Sequence, residues 1–391
     1  MDFYDKYKLF KKNKKKKHEI KDYINNKNIF FGSGGSDNII VIINDQEVAK
    51  IIPNFNKEPN MKNIQDNDIK EIEFYKFFLN KFIKPNITPH IVGYYTNYKL
   101  VNITSIFPKK CASIDEKLLI NPNKMNYVDD RLCELKTLYK FNVIKKTADV
   151  IILENCGSTI ESSIRSILNL KKFRYEILEH FINRSIFQLI YTLTAIQNKY
   201  PTFIHNDLFL RNILGKYEND YNDNEYVEYK YKGKSYYMEA NGFYLKINDF
   251  GYSLMPPIIA SKTLYEKIEF NPTMGMTYDD KLKDVFTFLY DYYNGENLGH
   301  YSVMELLETN KENENVKKRF RNIFKKYIDV DMIDKISKRN KPLLDRQWNI
   351  KYIPLLRKTI MEPKMYFIKG SFDKYKTIPR NSKIIKTFEI D

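Results

Sequence analysis

Short apolar runs bounded by turn residues characterise the first part of the chain, and such runs are typical of β-strands. The strands are predicted around residues 39–43, 47–52, 92–95, 101–106 and 149–154. Asn44 and Asp45 separate the first two runs and suit a tight hairpin turn. This pattern predicts a β-rich N-terminal part.

Apolar positions at helical spacing become more frequent later in the chain. One helix is predicted over 68–83, with Asp68 as its N-cap, and a long helix over 173–199. Residues 108–145 match no clear element and are interpreted as an insertion. A linker near 155–160 separates the β-rich part from a mainly helical remainder, so the sequence predicts an α+β fold.

Length and composition favour two domains in a reducing compartment. A chain of 391 residues exceeds one hydrophobic core, and 43% hydrophobic content is enough to fill two. Three cysteines without a C-x-x-C pair argue against a disulfide framework and a zinc knuckle. No apolar run reaches membrane-spanning length, and the N-terminus lacks the apolar centre of a signal peptide, so we expect a cytoplasmic protein.

The net charge of +16 has two interpretations. Lysine, asparagine and isoleucine are abundant, and a codon composition that favours all three explains the excess. An acidic partner is the alternative, and nucleic-acid contact through a basic surface is one form of it. The lysine run at 11–17 lies in residues 1–25, which we interpret as a flexible basic arm.

Polar residues with defined chemistry interrupt two apolar stretches. His205, Asp207 and Asn212 lie in "FIHNDLFLRNIL", and Asp249 follows the short strand in "YLKINDFGYSL". Oxygens of Asn212 and Asp249, on separate loops, can hold a hard cation, and Mg²⁺ takes few protein oxygens together with phosphate oxygens. Asp207 is then left to bind a substrate hydroxyl, which is the division of roles that phosphoryl transfer requires.

The order H-x-D-x-x-x-x-N and then D-F-G resembles the protein-kinase-like superfamily. The wider stretch "IQNKYPTFIHNDLFLRNIL" and the C-terminal "IPRNSKIIKTF" resemble the divergent Ser/Thr kinases of large cytoplasmic DNA viruses. The resemblance implies a bilobal fold: an N-lobe antiparallel sheet with one key helix, and a mainly helical C-lobe. It implies ATP and Mg²⁺ as cofactors and, as partner, a protein substrate with a Ser/Thr hydroxyl.

The resemblance assigns roles in the second lobe. Asp207 orients the acceptor hydroxyl and receives its proton, while Asn212 and Asp249 bind Mg²⁺. Structural roles fall to the histidine that braces the loop, to the rest of the D-F-G triplet and to an aspartate that anchors the loop from below. These residues are His205, Phe250, Gly251 and Asp284.

The resemblance also assigns roles in the first lobe. Lys50 reaches the α- and β-phosphates, Val48 on the same strand face touches the adenine, and Glu71 rather than Glu73 pairs with the lysine. Glycine-rich residues approach the phosphates, although Asp37 stands where the family has its third glycine. Residues of the segment between the lobes line the adenine pocket. These two groups are Gly32, Ser33, Gly34 and Gly35, and Leu153, Glu154 and Cys156.

The resemblance sets domain bounds of 26–155 for the N-lobe, with the insertion at 108–145, and 156–391 for the C-lobe. An inserted hairpin is predicted at about 217–242, with a solvated excursion as its default interpretation.

Departures from the family keep alternatives open. Asn206 replaces the arginine that protein kinases usually have between His and Asp. An asparagine at this position also occurs in choline- and aminoglycoside-kinase-like enzymes. No A-P-E triplet is visible. A small-molecule acceptor and a catalytically silent scaffold are therefore the alternatives to a Ser/Thr protein kinase. Arg211 resembles the tyrosine-kinase loop, which is slight support for a tyrosine acceptor.

Overall fold

The computed structural model describes most, but not all, of the chain. The described residues are 7–8, 39–56, 62–108, 111, 127–170, 174–259, 282–294, 314–339 and 360–390. The glycine-rich segment 32–35, Asp37 and most of the basic arm lie outside these ranges, so the expectations for them stay predictions.

The described helices and strands follow in chain order. The strands are β1 (Ile39–Ile42), β2 (Glu47–Phe55), β3 (Tyr94–Leu100), β4 (Ile144–Glu154), β5 (Ser158–Thr159), β6 (Ile213–Glu218), β7 (Glu225–Tyr231), β8 (Lys234–Glu239), β9 (Gly242–Ile247) and β10 (Lys383–Ile390). The α-helices are α1 (Lys62–Phe78), α2 (Tyr127–Lys140), α3 (Ile160–Leu168), α4 (Tyr175–Lys199), α5 (Lys283–Asn294), α6 (Glu314–Phe324), α7 (Val330–Arg339) and α8 (Pro363–Ile368). The protein is therefore a mixed α/β chain with largely antiparallel sheets and several helices. None of the described helices combines the length and apolar character needed to cross a membrane.

The described residues group into two units. The first unit comprises Met1–Leu79 with Val92–Asn155, and the second comprises Asn80–Ile91 with Cys156–Asp391. Residues 80–91, which the sequence analysis assigned to the N-lobe, group with the second unit. His90 explains this grouping, because its carbonyl accepts a hydrogen bond from the Ile247 N–H at 3.0 Å.

The first unit contains a four-stranded antiparallel sheet in the order β1-β2-β4-β3. Strand β2 is buried from Ala49 to Phe55 and β4 from Val150 to Glu154, which explains the apolar runs in these parts of the two strands. Lys50 lies on β2 opposite Ile40 of β1 and Ile151 of β4. The register thus holds a buried lysine in the middle of the sheet.

Three predictions for the first unit are wrong in detail. Helix α1 begins at Lys62, not at Asp68. The prediction missed its first residues because they are mostly polar and show no apolar period. Residues Ile103–Ile106 form a 3₁₀ helix rather than a strand. The insertion at 108–145 contains α2, whose Leu132 and Leu135, three residues apart, are buried.

The prediction against disulfides is also wrong. Cys111 and Cys133 form a disulfide bond between the segment before α2 and α2 itself. Cys156 is buried and stands outside this disulfide. An odd number of cysteines gave no sign of the pair, because spacing alone does not fix which cysteines meet in space.

Helix α4 forms the centre of the second unit. Its prediction over 173–199 is confirmed within two residues, and nearly every residue from Phe181 to Gln197 is buried. A three-stranded sheet in the order β5-β6-β9 packs near it. The predicted linker contributes the short strand β5 to this sheet, followed at once by α3.

The predicted inserted hairpin is a folded part of the second unit and not a solvated excursion. Strands β7 and β8 pair in antiparallel register, and Tyr229 and Tyr236 on them are fully buried beside Phe187 of α4. The C-terminal residues, predicted to be helical, instead supply β10, which pairs in parallel with β7. The tyrosine-rich composition of the insertion is thus explained by burial.

A buried arginine fastens the insertion to α4. Arg184 is 1% exposed, and its guanidinium donates to the carbonyl oxygens of Glu239, Asn241 and Phe243 at 2.9, 3.0 and 2.7 Å. These three carbonyl oxygens accept hydrogen bonds from the guanidinium, which burial would otherwise leave without hydrogen-bond partners. The start of β9 is therefore fixed relative to α4.

His90 gives the second unit a predicted sensitivity to acid. Its ring is fully buried, with Nδ1 3.0 Å from the Leu245 carbonyl oxygen and Nε2 2.9 Å from the Tyr229 hydroxyl. Burial, reinforced by the charges of Lys246 and Arg184, lowers the pKa of His90 well below 6.5. The unfolded chain binds a proton there more readily than the folded protein, so the free energy of unfolding should fall as pH drops below about 6.5.

The test is denaturant unfolding of the wild type and of His90→Gln from about pH 7 to pH 5. A single such histidine gives the wild type an extra slope of up to about 1.4 kcal/mol per pH unit, which the variant should lose. Lys234→Gln, at an exposed position, is the control. Equal slopes in the wild type and in His90→Gln would contradict the prediction.

Candidate active site

Two carboxylates on α5 hold the backbone of the loop that carries Asp207. The carboxylate of Asp284 accepts from the N–H groups of His205 and Asn206 at 2.7 and 3.0 Å. Asp291, two helical turns later on the same face, accepts from the Leu210 N–H at 2.7 Å. Asp284 was predicted to contact this loop, whereas Asp291 was missed although the seven-residue spacing indicates it.

His205 connects this loop to the next one. The side chain is fully buried, its Nε2 lies 2.9 Å from the carbonyl oxygen of Asn248, and its ring lies 5.2 Å from the ring of Phe250. Its own carbonyl oxygen accepts from the Ser253 hydroxyl at 3.2 Å. These contacts brace the loop and leave His205 turned away from solvent.

Both carboxylate oxygens of Asp207 accept hydrogen bonds. Arg211 Nη2 donates to Oδ1 at 3.0 Å, and Asn212 Nδ2 donates to Oδ2 at 2.7 Å. The same Asn212 nitrogen donates to the Asp207 carbonyl oxygen at 2.7 Å. The carboxylate is therefore held in one orientation, while its side chain remains 19% exposed.

Strand pairing brings Asn212 and Asp249 to the same end of a sheet. Ile213, the first residue of β6, lies opposite Ile247, the last residue of β9. One step beyond, the Asn248 N–H donates to the Asn212 carbonyl oxygen at 3.1 Å. Asp207 precedes β6 and Asp249 follows β9. The pairing of these strands therefore relates two residues that are 42 positions apart in the sequence.

Asp249 has a left-handed backbone conformation, with φ 63° and ψ 71°. This conformation costs most residues other than glycine about 1 kcal/mol or more, and it is concentrated at functional sites. Phe250, which follows, is fully buried. Gly251 is not required by space, because a Cβ there would meet Asp249 Oδ1 at an ordinary 3.7 Å.

Asn206 joins three segments of the second unit. Its backbone is also left-handed, with φ 70°. Its Nδ2 donates to the Tyr252 carbonyl oxygen at 3.1 Å, and its Oδ1 accepts from Lys283 Nζ at 3.0 Å. Sequence comparison showed only a lost arginine here, whereas the structure shows a bridge made by the asparagine.

In the first unit, Lys50 and Glu71 form a buried ion pair. Lys50 Nζ lies 2.7 and 2.9 Å from the two carboxylate oxygens of Glu71, and the two residues are 5% and 1% exposed. Glu73 is exposed, as expected for a neighbour on the opposite face of α1. Lys70, also on α1, is buried as well, and burial lowers its pKa to about 8.

The predicted adenine-contacting residues lie at the end of β4. Val48 of β2 is opposite Leu153. The Glu154 N–H donates to the Gly93 carbonyl oxygen at 2.8 Å, and the Glu154 carboxylate accepts from the Gly93 N–H at 3.2 Å. The Glu154 N–H is therefore already used within the first unit.

The donor set at the end of β6 and β9 fits a magnesium ion that is shared with a nucleotide. Asn212 donates through its nitrogen, which leaves Oδ1, the atom a cation binds, without a hydrogen bond from any described residue. The protein would supply only two ligand groups, one amide oxygen and one carboxylate. Mg²⁺ is bound by so few protein ligands when substrate phosphates complete its coordination shell.

Comparison with known proteins identifies relatives in a giant virus. The chain is 36% identical over 374 residues to a putative serine/threonine-protein kinase of Acanthamoeba polyphaga mimivirus, and the match covers 91% of each chain. A second putative serine/threonine-protein kinase of the same virus is 27% identical over 216 residues, which is 54% of this chain and 43% of the relative. No protein-family model matches the sequence.

Asp284→Asn tests the anchor beneath the loop. The pKa of the Asp284 carboxyl is raised by burial, but the N–H groups of His205 and Asn206 favour its ionised form. The amide turns one of the two acceptors into a donor that faces an N–H group. Leaving buried donors unpaired should lower the free energy of unfolding by about 1–3 kcal/mol.

Denaturant titration measures this loss, with Asp223→Asn on an exposed position as the matched control. An Asp284→Asn protein as stable as the control variant would show that the two hydrogen bonds do not hold the loop.

Proposed function

The chain belongs to the giant-virus family of serine/threonine-protein kinases, and on that premise we propose that it transfers the γ-phosphoryl group of Mg-ATP to a serine or threonine hydroxyl of a protein. The family relationship supports kinase chemistry. ATP, magnesium, the acceptor and the individual residue roles are our proposal.

The observation that carries the proposal is the register of β6 and β9. It sets the amide of Asn212, the carboxylate of Asp207 and the strained residue Asp249 at one end of a single sheet. Phosphoryl transfer needs little covalent chemistry from the protein, so catalysis depends on holding such groups in position. Hydrogen bonds from three directions hold this loop, which is the rigidity that the chemistry requires.

In the proposed reaction, Asp207 binds the acceptor hydroxyl and takes its proton as the oxygen attacks the γ-phosphorus. The bond from phosphorus to the β–γ bridging oxygen breaks, and ADP leaves with that electron pair. Asn212 and Asp249 would hold the magnesium ion, which supplies positive charge to the phosphate oxygens. His205 and Asp284 keep the loop in place and touch no reactant.

In the first unit, the proposal assigns phosphate binding to Lys50. The ion pair with Glu71 at 2.7 Å fixes the direction of the ammonium group. Backbone groups of Glu154 and Cys156 would bind the adenine, beside Val48 and Leu153.

The direct experiment incubates the protein with γ-labelled ATP and Mg²⁺, using casein, a basic protein and a panel of small alcohols as acceptors. Label on serine or threonine supports the proposal. Label only on a small alcohol would make the chain a small-molecule kinase, and nucleotide binding without transfer would make it a scaffold.

Two substitutions separate the roles of the acidic residues. Asp207→Ala should reduce transfer by about 100-fold or more while nucleotide affinity stays unchanged, because Asp207 binds the acceptor. Asp249→Ala should reduce transfer and also weaken Mg²⁺-dependent binding of a fluorescent ATP analogue. Asp220→Ala, at an exposed position, is the control. Normal turnover in Asp207→Ala would refute its assigned role.

A further inference from the structure

The turn that carries Asn212 has no cap of its own. Leu210–Asn212 form a single 3₁₀ turn before β6, and the side chain of Phe209, which precedes the turn, makes no capping hydrogen bond. The first N–H groups of such a turn find no acceptor within it. Leu210 is only 3% exposed, and a buried N–H without an acceptor is unfavourable. The Leu210 N–H therefore depends on an acceptor from elsewhere in the protein.

Asp291 of α5 supplies that acceptor. Its Oδ2 accepts from the Leu210 N–H at 2.7 Å, and Asp291 itself is 6% exposed. On the other side of the same residue, the Leu210 carbonyl oxygen accepts from the Ile213 N–H at the start of β6. A carboxylate makes a stronger hydrogen bond with an N–H group than a neutral oxygen does. Leu210 is therefore held by α5 through its N–H and by β6 through its carbonyl oxygen.

The turn determines where the Asn212 side chain points. It is closed by the Asn212 N–H, which donates to the Phe209 carbonyl oxygen at 2.9 Å. From the end of the turn, Asn212 Nδ2 donates to the backbone carbonyl oxygen and to Oδ2 of Asp207, both at 2.7 Å. Asn212 is buried among close-packed neighbours, which restrict its side chain to few orientations. A displaced turn would therefore move the Asn212 amide away from both of its acceptors on Asp207.

Asp291 and Asp284 fix opposite sides of Asp207. The Asp284 carboxylate accepts from the two N–H groups that precede Asp207, whereas Asp291 accepts from one that follows it. Loss of Asp284 would free the start of the loop, and loss of Asp291 would free the turn that leads to Asn212. The two aspartates therefore have different consequences for the proposed metal ligands.

We propose that Asp291 is a positioning residue for phosphoryl transfer, which acts through the turn to keep Asn212 aligned with Asp207 and with the proposed magnesium ion. This inference rests on the proposed function. Asp291 touches no reactant and exchanges no proton, so the bonds that form and break are those of the proposed reaction. Groups that orient a metal ligand from behind are worth about 10-fold to 100-fold in metal affinity or activity.

A stabilising role without influence on the metal is the competing explanation. In that case removal of the Asp291 carboxylate lowers the free energy of unfolding, and the rate measured on folded protein keeps its dependence on Mg²⁺. A positioning role changes this dependence, because a displaced Asn212 Oδ1 binds the ion less well. The Mg²⁺ concentration that gives half of the maximal rate therefore separates the two explanations.

The experiment compares Asp291→Leu and Asp291→Asn with the wild type. Leucine offers no acceptor to the Leu210 N–H, whereas asparagine keeps one oxygen that accepts. The control is Asp334→Leu on α7, because Asp334 also bonds to α5, through the Tyr293 hydroxyl at 3.0 Å, and pairs with Arg321 of α6. The kcat, the acceptor KM and the half-saturating Mg²⁺ concentration are measured below the unfolding temperature of each variant, which thermal unfolding establishes.

We expect Asp291→Leu to lower kcat by about 10-fold to 100-fold and to raise the half-saturating Mg²⁺ concentration by about 10-fold. The acceptor KM should stay within about twofold of the wild type, since Asp291 does not contact the acceptor. Asp291→Asn should recover part of both losses, and Asp334→Leu should show neither. An unchanged Mg²⁺ requirement in Asp291→Leu, with an active wild type, would overturn this inference alone.

A double-mutant cycle tests the route through Asn212 without turnover. Mg²⁺-dependent binding of a fluorescent ATP analogue is measured for Asp291→Leu, for Asn212→Ala and for the double variant. If Asp291 acts through Asn212, the double variant should bind within about twofold of Asn212→Ala alone, and losses that add would contradict the inference. A wild type that transfers no phosphate to any acceptor would overturn the proposed function and this inference together.

Discussion

The antiparallel pairing of β6 with β9 is the constraint on which the candidate site depends. The two strands meet with Ile213 opposite Ile247, so Asn212, directly before β6, and Asp249, two residues after β9, lie at the same end of the sheet. A slip of one residue would turn the strands' buried side chains outward, so burial of the apolar residues on these strands also fixes the polar ones. The packing of these apolar residues therefore determines where Asn212 and Asp249 lie.

The polar groups around that pairing are arranged at a cost in stability. A buried carboxylate at Asp284 and left-handed backbone at Asn206 and Asp249 are each unfavourable alone. Each is offset by specific contacts, such as the two N–H donors to Asp284 at 2.7 and 3.0 Å. Strained backbone conformations that are held in place by several hydrogen bonds are expected at functional sites.

Much of the site was readable from the sequence, because polar residues stood out between apolar strands. The pairing of Lys50 with Glu71 was implied by the family resemblance, whereas helical periodicity indicated only that one of Glu71 and Glu73 faces inward. Long-range relations were not readable. The pairing of β10 with β7 joins residues such as Lys383 and Glu225, 158 positions apart, which no local pattern predicts.

Local exceptions were also missed for physical reasons. Helix α2 and the disulfide of Cys133 lie where the apolar period is short and interrupted. From the sequence, Asn206 showed only that the arginine of the family pattern is missing. Such a pattern does not show what the replacing side chain binds. The tyrosines of the insertion appeared solvent-exposed, since burial against α4 depends on contacts outside the hairpin.

The most direct test of the account is the position of the metal. A crystal structure of the protein with Mn²⁺ in place of Mg²⁺ and a non-hydrolysable ATP analogue would locate the ion by anomalous scattering. The account predicts one ion bound to both Asn212 Oδ1 and the Asp249 carboxylate, at about 2.0–2.2 Å, together with phosphate oxygens. An ion that contacts neither residue, or a nucleotide bound away from this end of β6 and β9, would contradict it.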